Sequence, residues 1–299
     1  MATALKIRKQ RPDYVVIRYW LPFMAPCLGT ISRLVKYKTR IKIIAIADNI
    51  VPHEKGPGDN LLTKYFVKPC DAFVVMSKAV MQDLSAFSIS KPVVFIPHPI
   101  YDIFGNKVSK QAAREHLKLK EGARYILFFG FIRHYKGLDL LLKAMAEPVV
   151  RALNIKLIVA GEFYEDAAIY HNLINQLQLQ EHVLLHTHYI SKEEVKNYFC
   201  AADLVAQPYH SATQSGVTQI AYHFERPMLV TNVGGLAEIV PDGKVGYVVE
   251  QDAKAIGAAL SDFYTNAREG AFSSFAATEK KKYAWGNMIA GIQELFLKL

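Results

Sequence analysis

Three glycine-centred turns in the second half of the chain carry residue types suited to holding a phosphate. They are Gly130-Phe-Ile-Arg133-His-Tyr-Lys136-Gly137, Gln214-Ser215-Gly216-Val217 and Gly234-Gly235-Leu-Ala-Glu238. Each follows a short apolar run and leads into a segment with helical periodicity. The first amides of a helix have no intrahelical acceptor, and the helix dipole adds partial positive charge there. Such turns are anion sites, and glycine lets the backbone approach a ligand closely. Gly130, Lys136 and Arg133 at the first turn, and the amides of Ser215, Gly216 and Val217 at the second, are the expected phosphate-binding groups. Glu238 stands by the third turn, and Glu162 follows Ala160-Gly161 at another strand end, placed to face the same cleft. The plainer reading is a helix cap at Ser215 and solvated helix-start charges at Arg133, Lys136 and Glu238.

These turns need a series of strands and helices to hold them. Strands are expected at 125–129, 155–160, 182–186, 203–207, 227–231 and 246–249, with helices at 137–148, 165–179, 191–201, 215–224, 235–240 and 252–266. Short continuous apolar runs indicate strands buried on both faces, and strand–helix alternation indicates a parallel, doubly wound sheet. The first part carries a weaker version of the pattern. Its strands are expected at 14–19, 42–47, 72–76 and 93–97, with a helix at 77–87. Pro97-His98-Pro99 opens a linker-like stretch to residue 107, because the prolines disfavour helix. The fold class is α/β, with two Rossmann-like domains over 1–107 and 108–279. A final helix is expected over 280–299, with Trp285, Met288, Ile289, Ile292, Leu295 and Phe296 on one side. The first domain is expected to be incomplete. It would have about four parallel strands, with Tyr14–Tyr19 as an edge that is open, covered by the polar residues 1–10 or paired with another chain. The second is expected to be complete, with six strands.

The net charge of +9 is concentrated at one end, since residues 1–110 hold 17 lysines and arginines against seven acids. That excess suits an acidic partner such as an anionic membrane surface or a phosphorylated acceptor, or else is a solvated basic face. Nucleic acid is the least favoured partner, because no basic–aromatic recognition motif is present. Cys27, Cys70 and Cys200 are far apart and odd in number, which suits a reducing, cytoplasmic compartment. No segment has the length of a membrane span, and the first residues lack the apolar core of a signal peptide. His186 and His188 would share a strand face but lack a third metal ligand, and His53-Glu54 lacks the spacing of a zinc protease. Neither G-x-G-x-x-G, a P-loop nor G-x-S-x-G occurs, which argues against NAD enzymes, NTPases and α/β-hydrolases.

Most of residues 120–250 resemble the nucleotide-sugar-binding domain of the retaining glycosyltransferases with two Rossmann-like domains (GT-B fold, GT4-like). The likeness runs from Phe128-Phe-Gly-Phe-Ile-Arg-His-Tyr-Lys136-Gly137 through Ile158-Val-Ala-Gly161-Glu162 and Ala202-Asp203-Leu-Val-Ala-Gln-Pro208-Tyr209. It ends on Pro227-Met-Leu-Val-Thr-Asn-Val-Gly234-Gly235-Leu-Ala-Glu238 and Gly246-Tyr. Ala47-Asp48-Asn49-Ile-Val-Pro-His53-Glu54, Ser77-Lys78 and Ile96-Pro97-His98-Pro99 are similar to segments of that family's acceptor domain, and the tail with Trp285 resembles the helix that crosses back to the first domain. Four positions differ. Phe131 stands where an arginine is frequent, Asp48 where a histidine is common, and Thr213 and Ala221 where the family has an E-x7-E carboxylate pair.

The resemblance implies transfer of a sugar from a nucleotide-diphosphate sugar to a saccharide or lipid-linked acceptor, with retention and with no metal or other cofactor. Lys136, Arg133 and the 215–217 amides would stabilise the departing diphosphate, and Asp48 would take the catalytic place in the first domain. Tyr189 and Gln219 would lie near the base and ribose, with Gln214 and Gln219 the polar groups available to the sugar or ribose. The location implied is the cytoplasm, peripheral to the inner face of the membrane. Two alternatives stand beside this, a nucleotide-sugar 2-epimerase and a truncated, non-catalytic nucleotide-sugar-binding homologue.

Overall fold

The computed structural model describes residues 1–50, 56–87, 90–212 and 214–299; His53, Glu54 and Thr213 lie outside the described residues. The chain forms two compact units, one from Met1–Pro99 with Tyr283–Leu299 and the other from Ile100–Lys282.

The first unit is built on β1 (Tyr14–Tyr19), β2 (Lys42–Ala47), β3 (Ala72–Val75) and β4 (Val93–Phe95), a parallel sheet in the order β1-β2-β3-β4. Successive side chains alternate faces, so neighbouring residues join different cores. Ile43, Ala45 and Ala47 pack with Val35 of the helix Ala25–Lys36 and Phe66 of the helix Asp59–Val67. Ile44 and Val74 face the other way and pack with Met288 and Leu295 of the helix Trp285–Leu297. Among the described residues β1 pairs with β2 alone, in register from Tyr14 opposite Lys42 to Tyr19 opposite Ala47, so it is the edge expected from the sequence. Residues 1–10, read as a polar opening, form the helix Ala2–Gln10. Ala4 and Ile7, three apart and therefore on one helix face, pack it into the core. The helix Ala25–Lys36 likewise has no counterpart among the elements expected from the sequence. Pro22 and Pro26 sit in the first turns of the 3-10 turn Pro22–Met24 and of that helix. No intrahelical N–H bond is required at those positions.

The second unit contains β5 (Arg124–Phe129), β6 (Ile155–Ala160), β7 (Val183–His186), β8 (Leu204–Gln207), β9 (Met228–Thr231) and β10 (Gly246–Val249). All pair in parallel, in the order β10-β9-β8-β5-β6-β7. Read from its other edge, this is the doubly wound order 3-2-1-4-5-6. The chain winds outward from β5 through β6 and β7, then returns to the opposite side of β5 as β8. The crevice between β5 and β8 at their carboxyl ends is the place where such a sheet binds ligands. Asp203, only 4% exposed, fixes this junction. Its carboxylate accepts from Tyr125 N at 2.8 Å, Arg114 Nη2 at 2.9 Å, Lys110 Nζ at 2.7 Å and Tyr264 OH at 3.1 Å. Four donors on one buried carboxylate hold the start of β8 beside the start of β5. The expected helix 137–148 is divided into Leu138–Ala146 and Pro148–Arg151, because Pro148 starts a new helix at its first position.

Candidate active site

A cavity of about 430 Å³ opens at the carboxyl ends of β5, β6 and β8. Gly130, Gly161, Glu162, Lys136, Tyr189 and residues 214–217 line it. The turns lock together through backbone. Gly130 N donates to Ala160 O at 2.9 Å, and His210 N donates to Tyr135 O at 2.7 Å. A Cβ on Gly161 would lie 2.5 Å from Gly130 O, so the turns after β5 and β6 are in direct backbone contact. Gly137 has a φ of +70°, and a Cβ there would lie 1.9 Å from Pro208 O, so the loops after β5 and β8 touch as well.

Lys136 is the central cation of the cavity. It follows β5 in the 3-10 turn His134–Lys136 and is only 8% exposed. Its Nζ lies 2.9 Å from where a Cβ on Gly130 would stand and 6.0 Å from the centre of the Tyr209 ring. Burial, and secondarily the nearby Arg133 cation, push its pKa down to about 8. No carboxylate pairs with it among the described residues. A desolvated ammonium without a counter-ion is costly, and an anion entering the cavity relieves that cost.

The second turn caps the helix Gly216–His223. Ser215 Oγ accepts from Val217 N at 3.2 Å and shares a 3.2 Å hydrogen bond with Tyr209 OH. The Val217 amide, expected to be open to a ligand, is therefore engaged by the cap of its own helix. Gln214 lines the cavity, and its buried Nε2 has no hydrogen-bond partner among the described residues; the same is true of Nε2 of Gln207 at the end of β8. Buried donors of this kind are rare unless a ligand or water completes them.

Several expected residues lie elsewhere. Gln219 is 1% exposed and does not line the cavity; Val217 and Ile220 present that helix face instead, and both polar atoms of the Gln219 side chain are buried without partners. Arg133 is exposed and does not line the cavity; its guanidinium stacks 4.8 Å over the Tyr164 ring. Glu238 is exposed on the single-turn helix Leu236–Ile239, so the third glycine turn, after β9, lies one strand beyond the crevice and adds no cavity residue. Tyr101, Ile103 and Phe104, read as linker, also line the cavity. Their only signal in the sequence is an aromatic and apolar cluster in a stretch otherwise marked by proline and glycine.

Asp48 belongs to the first unit. Its carboxylate receives Arg18 through Nε at 2.6 Å and Nη2 at 3.1 Å, and Arg18 Nη2 is 3.5 Å from His98 Nε2. His98 Nδ1 is 2.7 Å from Pro99 O. Burial lowers the His98 pKa, only partly opposed by that backbone contact. Arg18 projects from the edge strand β1, and Asp48 follows the end of β2, which explains how residues 30 positions apart meet.

Two parallel-sheet Rossmann-like units, with a ligand cavity at the switch point of the second, define a protein of the GT-B class. Residues 123–266 match the family model of the glycosyl transferases group 1. The D-inositol 3-phosphate glycosyltransferase of Xylanimonas cellulosilytica is 24% identical over 305 residues, covering 95% of this chain and 71% of the relative. That of Corynebacterium urealyticum is 24% identical over 306 residues, covering 96% and 72%. Among solved structures, Anabaena HepE in complex with UDP superposes with a TM-score of 0.81 at 15% identity, covering 100% of this chain and 82% of that one. Among the described residues no helix is long and apolar enough to cross a membrane.

Proposed function

We propose that this protein transfers a sugar from a nucleoside-diphosphate sugar, with uridine the favoured base, to a hydroxyl acceptor with retention at the anomeric carbon. The observation that carries the reading is Lys136, a buried cation without a counter-ion among the described residues at the switch point of the second sheet. As the anomeric C–O bond breaks, its electron pair passes to the β-phosphate oxygen. A fixed cation in a site of low polarity stabilises that charge without reorganisation. Lys136 supplies the charge that a metal would otherwise supply, so the reaction is assigned no metal. The Gly130 turn and the start of the helix Gly216–His223 complete the diphosphate cradle, and Tyr189 and Tyr101 offer aromatic surface to the base. Uridine is favoured by the HepE complex with UDP. The acceptor is assigned an anionic character, phosphorylated or lipid-linked, from the basic excess of residues 1–110. The same excess supports a peripheral place at the cytoplasmic face of a membrane.

Calorimetric titration with UDP, GDP and ADP tests the donor assignment. UDP is expected to bind more tightly than the other two, and failure of all three at millimolar concentration overturns the reading. The Asp48, Arg18 and His98 cluster is assigned to the acceptor side. Arg18→Ala is expected to leave UDP affinity within about twofold of the parent while lowering transfer, because the cluster and the cavity belong to separate units. A parallel loss of UDP affinity would remove the cluster from that assignment.

A further inference from the structure

His134, Asp139 and His210 bring two imidazoles and a carboxylate together in the second unit, their ligand atoms all within 4.8 Å of one another. They come from three places: the 3-10 turn His134–Lys136, the first turn of the helix Leu138–Ala146, and the loop after β8. His210 Nε2 is 2.8 Å from Asp139 Oδ1, and the His134 and His210 rings stack with centroids 5.0 Å apart and planes inclined by 22°. The surroundings hold these groups in place. The His210 backbone N–H donates to Tyr135 O at 2.7 Å, and Lys143 Nζ donates to Asp139 Oδ2 at 3.3 Å, leaving Oδ1 directed at the imidazoles. A partner on the second carboxylate oxygen is the kind of outer contact that orients a metal ligand.

We propose that these three side chains form a binding site for a borderline divalent cation, zinc foremost. One nitrogen of each imidazole and Asp139 Oδ1 would serve as protein ligands, and water would complete a tetrahedron. Two imidazoles with one carboxylate match the ligand preference of Zn²⁺, and three protein ligands leave the fourth position open. Binding draws on the Nε2 lone pair of His210, so the proton on that ring resides on Nδ1. The His134 ring is exposed, and its rotation toward Asp139 and His210 would bring its nitrogen within the about 2.0–2.1 Å that zinc–imidazole bonds require. The ion ties the loop that carries Lys136 to the loop that carries Tyr209, so its role is to brace the two sides of the crevice. It stands apart from the chemistry proposed for the donor. His186 and His188 do not make a comparable site. Their rings are 6.4 Å apart, and His186 Nδ1 is 2.9 Å from Tyr198 OH.

The test uses the full chain freed of metal with a chelator. Zinc chloride is titrated by calorimetry, cobalt chloride by visible absorption, and the melting temperature is read in each. The expected result is one equivalent of metal, a tetrahedral cobalt spectrum and a raised melting temperature. His134→Ala and Asp139→Asn should each weaken zinc binding by roughly tenfold or more, while His186→Ala leaves it unchanged. Since His134 is exposed, its substitution keeps the fold even if Asp139→Asn does not. Absence of zinc binding at submillimolar concentration, or undiminished binding by a His134→Ala/His210→Ala double variant, overturns the proposal. UDP titration of the metal-free protein reads the donor site separately.

Discussion

Replacing Lys136 with methionine should weaken nucleoside-diphosphate binding by roughly ten- to hundredfold while making the ligand-free protein more stable. The binding loss follows from deleting a charged hydrogen-bond donor, worth about 1.5–3 kcal/mol. The gain in stability has the opposite sign because Lys136 is buried without a counter-ion among the described residues, as the fall of its pKa to about 8 reflects. Methionine nearly matches the volume of lysine and leaves no buried charge, so the free protein should gain about 1–3 kcal/mol. UDP calorimetry and urea denaturation on the same variant measure the two halves. Unchanged affinity would reduce Lys136 to a bystander. Lower stability would show that its side chain serves packing first. The opposed signs are the mark of a group retained for binding at a cost to the fold.

Gly137→Ala should destabilise the second unit by about 2–5 kcal/mol and carry away diphosphate binding with it. The left-handed φ of +70° costs a Cβ-bearing residue about 1–2 kcal/mol, and a Cβ 1.9 Å from Pro208 O forces the loops after β5 and β8 apart. Gly243→Ala is the control, since its φ of +67° is nearly the same but no atom lies within 4 Å of the added carbon. Urea denaturation should show only the smaller, conformational part of the cost at Gly243. Equal losses at the two positions would mean that backbone conformation alone, and not contact between the loops, explains Gly137.

The sheets were legible in the sequence because buried parallel strands write themselves as short apolar runs. Leu204–Gln207 and Met228–Thr231 are buried at every position, and such runs between helical segments leave few alternatives to a doubly wound sheet. The helices of the first unit were less legible. Ala2–Gln10 buries little beyond Ala4, and Pro22 and Pro26 stand at helix starts, where proline fits but breaks the local helical pattern.

The sequence by itself determined that a glycine-bounded turn with Lys136 follows β5, that Ser215 opens a helix, and that these belong to one α/β series. Local signals suffice there, because a cap or a strand-to-helix turn depends on neighbours a few residues away. Which turns share a cavity was decided only by the tertiary structure. The strand order places β5 beside β8 and sets β9 one strand further out, so Lys136 and Ser215 meet while Glu238 does not. Helical phase turns Gln219 away from the cavity that Val217 and Ile220 line, and the fold brings Tyr101 into it. The convergence of His134 and Asp139 with His210 likewise depends on the crossing from β5 out to β7 and back to β8, a long-range arrangement that no local periodicity records.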